Sequence, residues 1–324
     1  MEERYEDQVA AALRAVALRP PAAFLWFGRR EAVPAAGAGD PRERLVAGLA
    51  RRLHDDFFAI AVPHPRGGDP RAAADDGGAF VTGLSQANAG RGAWDRGWRV
   101  AGRDGDDAID VARPDGLVLR APAAFVRFEG APTEGALVSV LLPKELRGLS
   151  PGLYIALGDS GAPAADARTA LYWNIAAAGA ATLVARVTYA LNGAGLPFEL
   201  ELLDNPARYG RGDAAVLTVA RADGAAAIGL LRPLRRTLAA HLGDGAPAFT
   251  KPLARGLAVA EPSPGGQRFG EHRCRLLAEA VVAADEAGAR SVPERAAAVR
   301  ERFAAEGLRL DAPYLQPGSD DAYS

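Results

Sequence analysis

Three stretches of the chain concentrate side chains that handle phosphate or move protons. FGEHRCRLLAEA puts His272, Arg273 and Arg275 at or near the first turn of an expected helix. A helix N-terminus presents free backbone N–H groups and positive potential, and arginine adds a bidentate fork that matches phosphate. A histidine there is disfavoured as a cation unless an anion sits beside it, which suits a proton donor that works when phosphate is bound. FTKPLARGL places Lys251 directly before Pro252, which blocks helix. DNPARYGRGDAAVL brings Arg208, Tyr209, Arg211 and Asp213 into a turn between two expected strands, where basic groups can face a cleft. Plain structural readings stand beside these: solvated charges opening an amphipathic helix, and a polar β-turn.

The basic inventory gives Lys251 extra weight. Of 38 basic residues only Lys144 and Lys251 are lysine, and the rest are arginine. Most of that bias, with the heavy use of alanine, is compositional. Lys144 follows an expected strand and reads as a loop residue, whereas Lys251 sits inside a patterned segment.

Other short motifs carry little. GDSGAP, from Gly158 to Pro163, has the form of a serine-protease nucleophile segment, with His54 or His64 and Asp106 preceding Ser160. Nothing around either histidine supports a triad, and the expected helices do not suit a double β-barrel. No glycine run has the Gly-Lys-Ser/Thr of a phosphate loop or the three spaced glycines of a dinucleotide fold. The four histidines lack metal-ligand spacing, and the single cysteine, Cys274, excludes an internal disulfide and multi-cysteine zinc sites.

The elements that position these groups follow from periodicity and punctuation. Glu2 to Arg19 and Pro41 to Phe58 read as helices, the first stopped by Pro20 and Pro21. The stretch from Pro63 to Gly92 is rich in Gly, Pro, Asp and Ala and reads as a long loop, running into SQANAGRGAWDRGW, where glycines alternate with Trp94 and Trp98. Short strands are expected at 98–103, 109–113, 116–120, 125–129 and 137–142, spaced as in an antiparallel meander. Further strands are expected at 153–157, 170–173, 198–203 and 214–220, and helices at 176–192, 225–242, 269–287 and 292–306. Ser291 and Glu294 form an expected capping box with Pro293 in the first turn. The expected class is α+β: an antiparallel strand-rich N-terminal half, and a mixed sheet with packed helices in the C-terminal half. The expected boundaries are 1–135, 136–310 and a flexible tail at 311–324.

At 324 residues, with 49% hydrophobic and 24% charged residues and a net charge of −2, the chain has ample core-forming capacity and no bulk attraction for nucleic acid or an anionic membrane. The acidic start MEERYEDQ lacks the pattern of a secretory signal, so a cytoplasmic location is expected. The uncharged run Thr169 to Ala185 reads as a buried strand and a core helix, not as a membrane span.

LYWN at Leu171 to Asn174, LNGAGLPF at Leu191 to Phe198, NPARYGRGDAAVL, FTKPLARGL and FGEHRCRLLAEA occur in the order seen in the HopA-type effector family, which this chain resembles over roughly residues 80 to 285. That family was named for a type III secreted effector of plant-pathogenic bacteria. Related proteins lie in clusters for class V lanthipeptides and thioamitides, where they are taken as the lyase beside a kinase-like protein. The resemblance implies β-elimination of phosphate from phosphoserine or phosphothreonine of a leader-bearing precursor peptide, with no metal or redox cofactor. A base takes the Cα proton, a donor holds charge on the neighbouring amide oxygen, and the phosphate is gripped and protonated as it leaves.

On that reading Lys251 is the base, His272 the general acid, and Arg211 and Arg273 the clamp, with Arg208 beside them. Asn174 donates to the amide oxygen, Tyr209 and Asp213 orient the rest, and Trp94 and Trp98 line a peptide groove. One departure stands out: relatives often carry lysine where this chain has Glu201, which passes the role to Lys251 or removes that mechanism. Two alternatives remain: a non-catalytic partner that binds the leader and supports the kinase-like protein, and a secreted effector, whose Ser-rich mobile N-terminus the helical start here lacks.

Overall fold

Period-two alternation builds the largest sheet. The computed structural model describes residues 5–19, 23–33, 40–60, 77–105, 107–114, 116–148, 150–164, 167–263 and 267–323. Its seven-stranded sheet is formed by β9 (Glu145–Arg147), β10 (Leu153–Leu157), β11 (Arg168–Trp173), β12 (Phe198–Leu203), β13 (Ala215–Ala220), β14 (Lys251–Ala254) and β15 (Leu257–Ala260). The order is β14-β15-β11-β13-β12-β10-β9, and every neighbouring pair is antiparallel. The α+β class stands, with an antiparallel sheet in place of the mixed one expected. Tyr172 lies opposite Val216, and Val216 opposite Glu201, so these three share one row and one face. Trp173, Leu171, Leu217, Leu200 and Leu202 alternate to the other face and enter the main core with α4 (Ala177–Gly193). The uncharged run 169–185 is thus β11 followed by α4.

The first face is partly roofed by α7 (Phe269–Glu286), which packs between α2 (Pro41–Asp56) and α8 (Val292–Ala305). Asp40 caps α2 by accepting from the Arg42 backbone N–H, and the Ser291/Glu294 box caps α8 as the sequence implies. Gly270, at the start of α7, lies so close to Phe58 that a Cβ there would overlap the phenyl ring. The rings of Phe58, Tyr172 and Phe269 meet pairwise with centroids 6.1–6.3 Å apart. Such aromatic contacts add about 0.5–1.5 kcal/mol each beyond area burial.

Residues 93–142 form a second, smaller unit. β4 (Ala93–Asp104), β5 (Ala108–Ala112), β6 (Val118–Pro122), β7 (Val126–Phe128) and β8 (Leu137–Leu142) make a five-stranded antiparallel sheet in the order β6-β5-β4-β8-β7. Trp98, Val100, Ile109, Val111, Val138 and Val140 belong to its own core. The expected boundary at 135/136 therefore cuts a sheet, since β8 pairs with β4. α1 (Tyr5–Ala15), the β1-β2-β3 sheet (Val16–Arg19, Ala23–Trp26, Arg29–Ala32) and α2 join the C-terminal core instead.

Three further differences have local causes. Glycine-rich Gly77–Ala87 is a helix, α3, held through Ser85, whose Oγ donates to Glu145 at 2.8 Å, while 61–76 lie outside the described residues. The expected helix at 225–242 divides at Pro233 into α5 (Gly224–Leu231) and α6 (Leu234–Leu238). The C-terminal segment expected to be flexible is a packed strap: Leu308, Leu310, Tyr314, Leu315 and Tyr323 are buried in the main core. Among the described residues no helix is long and apolar enough to cross a membrane.

Candidate functional site

Where α7 begins, the free face of the large sheet opens into a cleft. An inner chamber of about 270 Å³ joins an outer vestibule of about 870 Å³, the two sharing His54, Pro151, Arg208, Arg211, Gln267, Arg268 and Glu271. Its floor is the row Tyr172, Val216, Glu201 and the next row Ala170, Thr218, Glu199. α2 contributes His54, and the connection after β15 contributes Pro262 and Ser263. The first turn of α7 lines the chamber from Phe269 to Glu271, and no side chain caps it, so its backbone N–H groups add positive potential there.

Charges in the chamber are arranged as two pairs with open neighbours. Arg211 grips Asp213 through both carboxylate oxygens, the second bond being 2.9 Å. Burial opposes ionisation of Asp213, but Arg211 outweighs it and holds the carboxyl below the usual range. Arg268 donates to Glu201 at 2.6 Å. Here burial wins: desolvation, together with the charge of Glu199, raises the Glu201 carboxyl above its ordinary value despite Arg268. Arg208 donates to the Gly152 carbonyl at 3.2 Å and has no carboxylate partner among the described residues. Gly152 has φ +87°, a left-handed conformation that favours glycine at this point of the wall. The His54 ring stacks on Phe58, its Nδ1 lies 3.2 Å from Asp55, and its Nε2 lies 4.0 Å from Asp213.

Of the residues singled out in the sequence, the fold brings together Arg208, Arg211 and Asp213. Lys251 does not line the cleft. It is bound by the strap, donating to Asp321 at 2.6 Å and to the Tyr323 carbonyl. His272 lies behind the first turn of α7, with Nδ1 facing Ser263 Oγ at 2.8 Å and Arg273 Nη1 at 2.6 Å. Burial and the neighbouring Arg273 push its imidazole down to about 4, so it is neutral at pH 7 and a poor general acid. Arg273 itself is fully buried and donates to the carbonyls of Pro313 and Leu315, making it a strap anchor and not a clamp for phosphate. Asn174 is spent on the Asp244 carbonyl at 2.7 Å. Tyr209 turns back to the Leu203 carbonyl and packs on Phe80. Trp94 and Trp98 belong to the five-stranded sheet, under Arg127 and Arg113 respectively. Ser160 is outside the cleft lining, and His64 and Asp106 lie outside the described residues.

Sequence reasoning missed His54, Arg268 and Tyr172 as site residues. Arg268 had a usable signal, immediately before an uncapped helix. Tyr172 had one in the alternation of LYWN, which sends it to the face opposite Trp173. His54 had none, because only tertiary packing of α2 beside α7 brings it to the cleft.

A family model described as the HopA1 effector protein family matches residues 146–315, which span the large sheet except the first residue of β9, together with α7, α8 and the start of the strap. Two solved structures align with the chain. An effector protein from Pseudomonas syringae pv. tomato strain DC3000 aligns at a TM-score of 0.47 and 14% identity, over 96% of this chain and 95% of that one. An effector protein from Pseudomonas syringae pv. syringae strain 61 aligns at 0.42 and 13%, over 85% and 97%. No curated protein matches the chain.

Proposed function

The chain belongs to the HopA1 effector protein family, and from that premise and the chemistry of the cleft we propose that it is a lyase eliminating phosphate from phosphoserine or phosphothreonine of a precursor peptide. The observation that carries this reading is the Glu201–Arg268 pair on the chamber floor, 2.6 Å apart, in a chamber also lined by Arg208 and the uncapped turn of α7. A substrate phosphate on Arg268, Arg208 and that turn takes away the counter-ion of Glu201. A largely buried carboxylate so deprived holds a proton more tightly and becomes the base. Glu201 removes the Cα proton, the C–H electrons form the Cα=Cβ bond, and the Cβ–O bond breaks toward phosphate. The leaving oxygen takes its proton from His54, which lines the chamber with its Nε2 4.0 Å from Asp213. Arg211, held by Asp213, positions that carboxylate beside the histidine.

Mass spectrometry of a phosphothreonine peptide after incubation with the purified chain tests this. Elimination leaves an alkene that adds thiol, whereas hydrolysis leaves threonine. The alkene is expected with wild type and is lost in Glu201→Gln; threonine, or no change with wild type, overturns the reading.

A second reading has its own support. Val118, Phe125 and Leu137 are large apolar residues exposed in the smaller sheet region, and they offer apolar contact for the precursor's leader or a kinase-like protein. Turnover by the chain alone would exclude a purely binding role. The effector alternative accords with the family's description.

A further inference from the structure

Seven tyrosines occur in the chain, and their hydroxyls divide unequally. Tyr5, Tyr154, Tyr209, Tyr314 and Tyr323 each hydrogen-bond within the protein, and Tyr189 is 73% exposed. Tyr172 alone is buried, at 5% exposure, without a hydrogen bond to any described residue. The hydroxyl is not among the sealed, unpaired polar atoms of the core and so keeps access to solvent. Tyr172 lines the chamber, with its ring fixed between Phe58 and Phe269. It shares the floor row with Val216 and Glu201. Tyr172 and Glu201 are thus two strand spacings apart, about 10 Å between Cα atoms, which leaves room above Val216 for one peptide unit.

We propose that the Tyr172 hydroxyl donates a hydrogen bond to the carbonyl oxygen next to the Cα–H that Glu201 breaks, holding the negative charge that gathers there. The assignment rests on the elimination reading and fills the one role left open when Asn174 proved to be committed to Asp244. No proton is transferred: the hydroxyl stays a donor, and burial with the charges of Asp213 and Glu201 raises its proton affinity. Its placement is fixed before substrate arrives, so the donor needs no reorganisation as charge develops.

Tyr172→Phe keeps the ring and removes only the hydroxyl. On a phosphothreonine peptide the variant is expected to lose roughly 10²-fold in kcat, with KM raised by no more than about 10-fold and Tm retained, as for removal of one oxyanion donor. Calorimetry with a phosphonate peptide, in which a methylene replaces the scissile oxygen, gives a readout independent of turnover. There the variant is expected to bind about 2- to 10-fold more weakly, the contribution of one neutral hydrogen bond. If wild type turns over and the variant matches it in kcat, the assignment falls while elimination stands. If wild type is inert yet the phosphonate peptide binds in a Tyr172-dependent way, the donor stands and elimination falls. Unaltered binding by the variant with an inert wild type, or no binding by wild type, overturns both.

Discussion

Two sets of cationic and hydroxyl groups lie on either side of the connection from β15 to α7, and they differ in how far the protein has used them. On the strap side, Lys251 is paired with Asp321, Arg273 with two carbonyls, and the 1%-exposed Glu261 accepts from Tyr323, Gln316 and Arg221. On the cleft side, Arg208 meets one carbonyl, the Tyr172 hydroxyl has no hydrogen-bond partner among the described residues, and Glu201, whose carboxyl burial raises, is paired with Arg268. Side-chain type is similar across the two, so type does not separate structure from chemistry. The count of partners does: a donor consumed by the fold stabilises the fold, and one left open awaits a ligand.

Substitutions that sharpen this contrast begin with Glu201→Gln. In the cleft it is expected to lower kcat by roughly 10²- to 10⁴-fold, the usual contribution of a placed base, without loss of Tm. The sign follows from linkage. A carboxyl raised in the folded state gives stability that is present at low pH and lost as pH rises through the folded value, so removing the charge at pH 7 does not destabilise. The same shift makes the acid limb of the rate profile fall at a pH above the ordinary glutamate range. On the strap side the readouts reverse. Arg273→Ala leaves two buried carbonyls unsatisfied, and urea denaturation is expected to show a loss of about 3 kcal/mol, with turnover per folded molecule retained.

Smaller effects test the edges of the comparison. Lys251→Ala removes a partly exposed pair and is expected to cost at most about 1 kcal/mol, with phosphate elimination unchanged; a large fall in rate would return Lys251 to the chemistry. His272, lowered to about 4 in the fold, contributes stability above the unfolded value of 6.5 that is lost as pH falls from 6.5 toward 4. Tm of His272→Gln is therefore expected to vary less over that window than Tm of wild type.

Much of the architecture was legible because it rests on local rules. Alternation in FELELL and LYIAL placed β12 and β10, and Ser291 with Glu294 marked the start of α8. The NPARYGRGD segment delivered Arg208, Arg211 and Asp213 to the cleft for the same reason, a turn between adjacent strands. Lys251 was misread because its partner, Asp321, lies 70 residues further on, in a segment whose composition resembles a loose tail but whose Tyr314 and Tyr323 are buried. The neighbours of His272 could not be foreseen either, since the Ser263 and Arg273 donors at Nδ1 depend on how the strap pulls Arg273 inward. Glu201 was visible only as a departure from relatives; its pairing with Arg268 and its burial turn that departure into a candidate base.

The central claim, that the open cleft and not the strap performs elimination, is tested most directly by phosphorus NMR of a phosphothreonine peptide mixed in turn with wild type, Lys251→Ala and Glu201→Gln. The peptide ester signal is expected to give way to inorganic phosphate with the first two and to persist with the third. Phosphate release by Glu201→Gln at the wild-type rate, or its loss in Lys251→Ala alone, would contradict the account.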